Sequence, residues 1–521
     1  MVERTPKHIQ IGLGLGLAGL VLTGPILANI AQAPDWSALG DVHLDVVPRT
    51  EDEAARIAAV LAPPLDFSEP QRFEVNSGGA TTVRPANLGQ AFMQPAANLS
   101  AMEGLEVHAG AAVFDRIWIS APSGNIASDG LGPLYNSRAC VACHVMNGRG
   151  HPPAGPDDDA VSFALRLSVP ADRARASAIP GTQAVAPEPV YGNQFHDFSV
   201  AGVPAEGRVT VEYETFDVAL SGGELIELRR PFYGMTDLAY GEMHPETMIS
   251  PRVAPQMIGL GLLEAIPAQD ILAWADPDDL DGDGVSGRPN VVWSHEHGQP
   301  MLGRFGLKAI MPTLREQSAD AFLNDIGIST PIFDVFSGDC TQYQSLCLAA
   351  PDGGQPQQDG FEVDDIALDL VTYFSQNLGV PARRDVDDPL VLQGKEVFFA
   401  AGCAACHRPS YVTARQEGDP SSSFQLIWPY TDLLLHDMGP DLADNRPEGR
   451  ATGREWRTPP LWGIGLTEEV SGHSYFLHDG RARSLLEAIL WHGGEGQASR
   501  DAVAEMPPED RAALITFLES L

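Results

Sequence analysis

Two Cys-x-x-Cys-His stretches, "CVACH" at 140–144 and "CAACH" at 403–407, constrain this chain more than any other feature. Two thiols three positions apart can form thioethers with the two vinyl groups of one haem, and the adjoining His144 or His407 then reaches the iron. The competing readings are a redox dithiol and half of a zinc site. A dithiol has no use for the histidine, and a zinc site needs four matched ligands. The motifs therefore point to two covalently bound haem c groups, one on Cys140 and Cys143, the other on Cys403 and Cys406. A fold that holds them must enclose two flat, largely apolar groups.

The second axial position decides what each iron does. A strong ligand there makes an electron carrier, and a vacant position makes a catalyst. For the second haem, His492 in "LEAILWHGGEG" stands at a helix end beside a Gly-Gly bend, and Met438 in "LLLHDMGPDLAD" is the alternative. A weak internal repeat bears on the first. Gly110-x-x-Val113-Phe114 precedes one Cys pair, and Gly394-x-x-Val397-Phe398 precedes the other. "RVAPQMIGLGLLE" matches "RTPPLWGIGLTEE", and "GRFGLKAIMPTLREQ" matches "DGRARSLLEA". His492 lies five residues after Glu487, and the place five after Glu316 is Ala321, which cannot bind iron. An open first iron follows. His151, seven residues beyond His144, is a candidate for its surroundings, as a removable ligand, a proton relay or a propionate contact.

Arg4 and Lys7 precede the apolar run "IGLGLGLAGLVLTGPILANIAQA", with small residues at Ala31-Gln32-Ala33. Residues 1–33 therefore read as an export signal or a retained anchor, since about 20 apolar residues can span a bilayer. Either places the remainder in the periplasm. An oxidising compartment lets Cys340 and Cys347 of "SGDCTQYQSLC" bridge, clipping a short loop for about 2 kcal/mol. The formal charge of −37, with only Lys7, Lys308 and Lys395 as lysines, argues against nucleic acid and favours a small cationic electron-carrier protein or other reductant.

The 521 residues are 44% hydrophobic, enough for a large core, and their 52 Gly and 42 Pro predict many irregular connections. Residues 34–383 read as an N-terminal haem domain and 384–521 as a C-terminal cytochrome c domain. Within the first, "RVTVEYETF" and "ELIELRRPFY" flank "SGG", a hairpin signal that predicts a small β insertion at about 185–235. The expected fold class is mainly α: two cytochrome c-like haem domains, the first enlarged by loops, that hairpin and the 340–347 disulfide loop. In "DPDDLDGDGVSGRPN", Asp279, Asp281 and Asp283 alternate before Gly284 as Ca²⁺ ligands do. Asn290 stands where such loops carry a glutamate, so a solvated acidic turn is the alternative.

Over residues 95–521 the chain resembles the bacterial di-haem cytochrome c peroxidase superfamily, most closely its di-haem oxidoreductase branch, also described as thiol oxidoreductases. The stretches that carry the resemblance are "EGLEVHAGAAVFDRIW", "GPLYNSRACVACHVMNGRGHPP", "DGDGVSGRPN", "GRFGLKA", "LLLHDMGPDLAD" and "RTPPLWGIGLTEEVSGHSYFLHDGRARSLLEAILWHGG". The resemblance implies a peroxidatic N-terminal haem, an electron-passing C-terminal haem and calcium between them. It places the distal ligand of the second haem fourteen residues after the histidine of the "HDG" stretch, which from His478 is His492. The peroxidases usually carry methionine there, and a histidine pair lowers the haem potential. Their distal Gln and Glu correspond by position to Gln317 and Asp325 of "LREQSADAFLNDIG". The expected activity is peroxide reduction. The alternatives are a non-enzymatic electron-transfer protein and a di-haem oxidase or oxygenase with another substrate.

Overall fold

A helix leads into each Cys-x-x-Cys-His stretch, and in each case a glycine sets how it packs. The computed structural model describes residues 36–521 except 37, 156–157, 159, 172–181 and 183–184; the expected signal or anchor at 1–33 lies outside them. Ala101–Phe114 starts on a reciprocal cap between Ser100 and Glu103, and Pro389–Ala400 starts on Asp388 with proline in its first turn. A Cβ at Gly110 would lie 2.0 Å from the Leu370 carbonyl oxygen, and one at Gly394 would lie 1.9 Å from that of Ala513. Glycine thus lets each helix touch the backbone of a later one, Asp365–Gln376 or Pro508–Ser520. Phe114 meets Phe374 at 5.0 Å, and Phe398 meets Phe517 at 5.2 Å. The Gly-x-x-Val-Phe repeat is therefore a packing repeat.

The rest departs from the expected fold class. The chain is 30% helical and 18% strand, with many small sheets, so it is not mainly α with two cytochrome c-like domains. Most helices run five to fourteen residues between irregular stretches, as frequent Gly and Pro dictate. Strands Arg208–Ala219 and Leu225–Thr236 pair along their full length around Ser221-Gly222-Gly223. A second sheet joins Phe163–Pro170 to Met248–Val253, Val185–Ala186 and Gln194–Phe195. Strands only two residues long carry too little alternation to be read from sequence.

Trp36–Leu521 forms one compact unit, because segments far apart in sequence are laced together. The long hairpin lies on C-terminal residues: Phe216 meets Trp491 edge-on at 5.6 Å. Arg229 donates to the carbonyls of Gly480 and Arg481. Val46–Val47 pairs with Arg415–Gln416. Cys340 and Cys347 are joined in a disulfide. Among the described residues no helix is long and apolar enough to cross a membrane.

The tightest of these ties is a buried charge cluster. Glu74 is 1% exposed and takes Arg383 at 3.1 Å on one oxygen and the Lys395 ammonium on the other. Removing it strands two cations in the interior. Glu74→Ala is expected to lower the unfolding free energy by about 3–5 kcal/mol in a urea titration, and Lys395→Met by clearly less.

Candidate functional site

Both cysteine motifs close the same local turn. The His144 amide donates to the Cys140 carbonyl at 3.1 Å, and the His407 amide to the Cys403 carbonyl at 3.0 Å. His144 Nδ1 lies 2.8 Å from the Pro255 carbonyl, and His407 Nδ1 lies 3.0 Å from that of Tyr430. A carbonyl only accepts, so each Nδ1 carries the proton and each Nε2 keeps its lone pair. Burial lowers both rings to about 4, which keeps them neutral at pH 7. His492 repeats the pattern: Nδ1 donates to the Ala488 carbonyl at 2.7 Å, and burial lowers its pKa. The four motif cysteines are free, and burial pushes Cys140, Cys143 and Cys403 up to about 12.

One cavity takes its walls from both motifs and from His492 and Met438. A Cβ at Gly496 would lie 3.2 Å from His492 Cδ2 and 3.3 Å from Met438 Cε, so both ligand candidates share one corner. A further helix supplies part of the cavity wall. Leu314–Ala321 starts on Thr313, which accepts from the Glu316 amide, and continues through a π-turn, Phe322–Ile326, to left-handed Gly327. Gln317, Ala321 and Asp325 recur every four residues and all line the cavity. The twin helix, Leu485–Leu490, starts on Ser484 in the same way and leads to His492.

Asp325 stands among charges. Burial raises its pKa, while Arg166 and a hydrogen bond from Gln194 Nε2, 2.8 Å away, oppose that rise. Arg166 also lines the cavity and pairs with Asp320 at 2.9 Å. The Gln317 Oε1 atom is buried without a partner. Behind Asp325, His196 Nε2 lies 2.8 Å from the Asn324 carbonyl, and its Nδ1 lies 3.5 Å from buried Glu206.

Two predicted placements change. His151 does not line the cavity. Its amide is held by Ser162 Oγ at 3.1 Å and its Nδ1 by the Pro152 carbonyl at 2.9 Å, which turns the ring onto His473. In the acidic loop, Asp276 joins Asp279 and Asp281 with carboxylate oxygens within 4.8 Å of one another. Asp283 instead caps the Val285 amide at 2.8 Å.

Several wall residues were not legible beforehand. The Arg149 guanidinium donates to the Tyr475 and Leu477 carbonyls, and that of Arg457 to the Gly306 and Thr458 carbonyls. Burial lowers both to about 10. His436 touches Cys406 Sγ at 3.6 Å and sits between Asp432 at 2.8 Å and Glu495 at 2.7 Å. Burial disfavours its charge, but Asp432 overrides this and holds the imidazolium. Most of their partners, Tyr475 and Leu477 for Arg149, Gly306 for Arg457 and Glu495 for His436, are distant in sequence, so no local pattern marks these residues.

This donor set fits two haems: paired thiols, a neutral imidazole with an available Nε2 beside each pair, and two guanidinium groups lining the cavity that have no ion pair among the described residues. In comparison with known proteins, the family model described as "Di-haem oxidoreductase, putative peroxidase" matches residues 73–521. Among solved structures, a hydrazine synthase of Kuenenia stuttgartiensis pressurized with xenon is similar at 14% identity and a TM-score of 0.21, over 39% of this chain and 70% of that one. The comparison with curated proteins gives no match.

The His196–Glu206 pair beside the site makes stability depend on pH. Burial alone would lower the histidine, but Glu206 overrides it and pushes the pKa up to about 9. The pair's contribution is full below the unfolded value of about 6.5 and is lost as pH rises through about 9. Denaturant titrations should show stability falling across that window, and His196→Gln should flatten this part of the profile.

Proposed function

Because the chain belongs to the di-haem oxidoreductase family, whose model spans residues 73–521, we propose that it is an exported, periplasmic c-type enzyme that reduces peroxide. Cys140, Cys143 and His144 would hold one haem, and Cys403, Cys406 and His407 the other. His492 would serve as a further ligand of the second, with Met438 beside it as the alternative. Arg149 and Arg457 would pair with the carboxylates of the bound groups. A small cationic electron-carrier protein, drawn to a chain of charge −37, supplies the electrons.

The observation that carries this reading is the contrast between twin helices. One presents His492 to the cavity; the other presents Gln317, Ala321 and Asp325. The first site thus has proton-handling groups and no side chain at the matching place that could ligate iron. When bound, the haems supply redox-active iron that delivers electrons to peroxide. Asp325 Oδ2 takes a proton from the bound peroxide and returns it to the departing oxygen. Gln317 orients the substrate by hydrogen bonding. The Arg166 guanidinium stabilises the negative charge that develops as the O–O bond breaks.

Visible and EPR spectra of the purified holoprotein test this. The expected result is one high-spin haem that shifts with cyanide; two low-spin haems in both oxidation states would make the chain an electron carrier instead. Asp325→Asn is expected to lower kcat for peroxide reduction about 10²–10³-fold with intact haem content.

A further inference from the structure

We propose that Gln194, on a strand of the β insertion, is a positioning residue that fixes the Asp325 carboxylate for proton transfer. The inference rests on the reading of Asp325 as the proton acceptor. Strand Gln194–Phe195 pairs with Phe163–Pro170, and the register sets Gln194 directly opposite Arg166. Opposed residues share a sheet face, so the amide and the guanidinium approach Asp325 together, and all three line the cavity.

Gln194 is fully buried, and its Nε2 has three acceptors within reach: Asn136 Oδ1 at 2.7 Å, Asp325 Oδ1 at 2.8 Å and the Asn324 carbonyl at 3.2 Å. Its Oε1 is buried without a donor. Turning the amide over would set Oε1 against three acceptors, so the orientation is fixed. One oxygen of Asp325 is thereby anchored, while its Oδ2 has no hydrogen bond among the described residues and stays available. The backbone is anchored too. Asp339 accepts from the Gln194 amide at 3.0 Å and from Asn193 Nδ2 at 3.0 Å, next to the Cys340–Cys347 disulfide. Asn136 Nδ2 donates to the Phe195 carbonyl at 2.8 Å, closing the frame from the other side.

The other charged or titratable groups around Asp325 are Arg166 and its partner Asp320, the His196–Glu206 pair, Asp339, and the Cys140 and Cys143 thiols. Arg166, His196 and the Gln194 amide favour the carboxylate; Asp320 and burial oppose it. Loss of the amide donor therefore raises the pH at which Asp325 takes its proton, and it frees the side chain to rotate.

Infrared pH titration of the holoprotein reads this directly, with the Asp325 carboxyl band identified as the one absent from Asp325→Asn. Gln194→Met keeps the volume and removes the donor; Gln194→Leu keeps the branch and removes it as well. In each, the midpoint is expected to rise by about one pH unit, and the acid limb of kcat/KM for peroxide to move with it. An unmoved midpoint in variants with wild-type circular dichroism and haem content overturns the proposal. Should one variant fail to fold, the other carries the same test. Wild-type turnover in Asp325→Asn would remove the catalytic role of Asp325, while the infrared midpoint still decides whether Gln194 holds it.

Discussion

The hydrogen bond from a histidine Nδ1 to a backbone carbonyl is the interaction on which this architecture turns. Pro255 and Tyr430 supply the acceptors for His144 and His407. Each bond chooses a tautomer, aims a ring and leaves Nε2 as a base. Neither carbonyl is close in sequence to the histidine it serves. The loops that bring them must be braced, and the glycine-mediated helix contacts and the buried Glu74 cluster provide that bracing. Irregular backbone in a chain with many Gly and Pro residues is thus held by a few strong ties rather than by long elements.

Within that frame, the two motifs are alike in their helices and differ at single residues. Both halves use a capped helix with glutamate in its first turn, Glu316 in one and Glu487 in the other. Five residues later the side chains diverge to Ala321 and His492. The π-turn adds to the divergence, because widening the helix at Phe322–Ile326 lets Asp325 share the wall with Gln317.

Local signals were legible in the sequence, and long-range ones were not. The cysteine turns and the Ser-Gly-Gly hairpin arise from contacts within a few residues. The sheet that sets Gln194 beside Arg166 arises from pairing across the chain, and its two-residue strands leave no periodicity. The helical fold class failed for that reason. His151, close in sequence to His144, has its amide on Ser162 Oγ and its ring against His473. Asp283 follows the spacing of a cation loop and accepts from the Val285 amide, while Asp276, outside that spacing, lies with Asp279 and Asp281.

Buried charge shows how far the chain is committed to a guest. Both lysines among the described residues are interior: Lys395 on Glu74, and Lys308 on Asp444 at 2.7 Å and over the Trp456 ring. Most interior arginines are matched as well, Arg252 with Glu448 at 2.5 Å and Arg481 with Asp479 at 2.8 Å. Arg149 and Arg457 break this rule. They face the cavity, and carbonyl oxygens satisfy only part of their donors. An unmatched guanidinium in a low-dielectric wall costs free energy that a carboxylate would recover. Two cavity-facing guanidinium groups held by carbonyl oxygens beside neutral imidazoles would suit a guest that carries its own carboxylates.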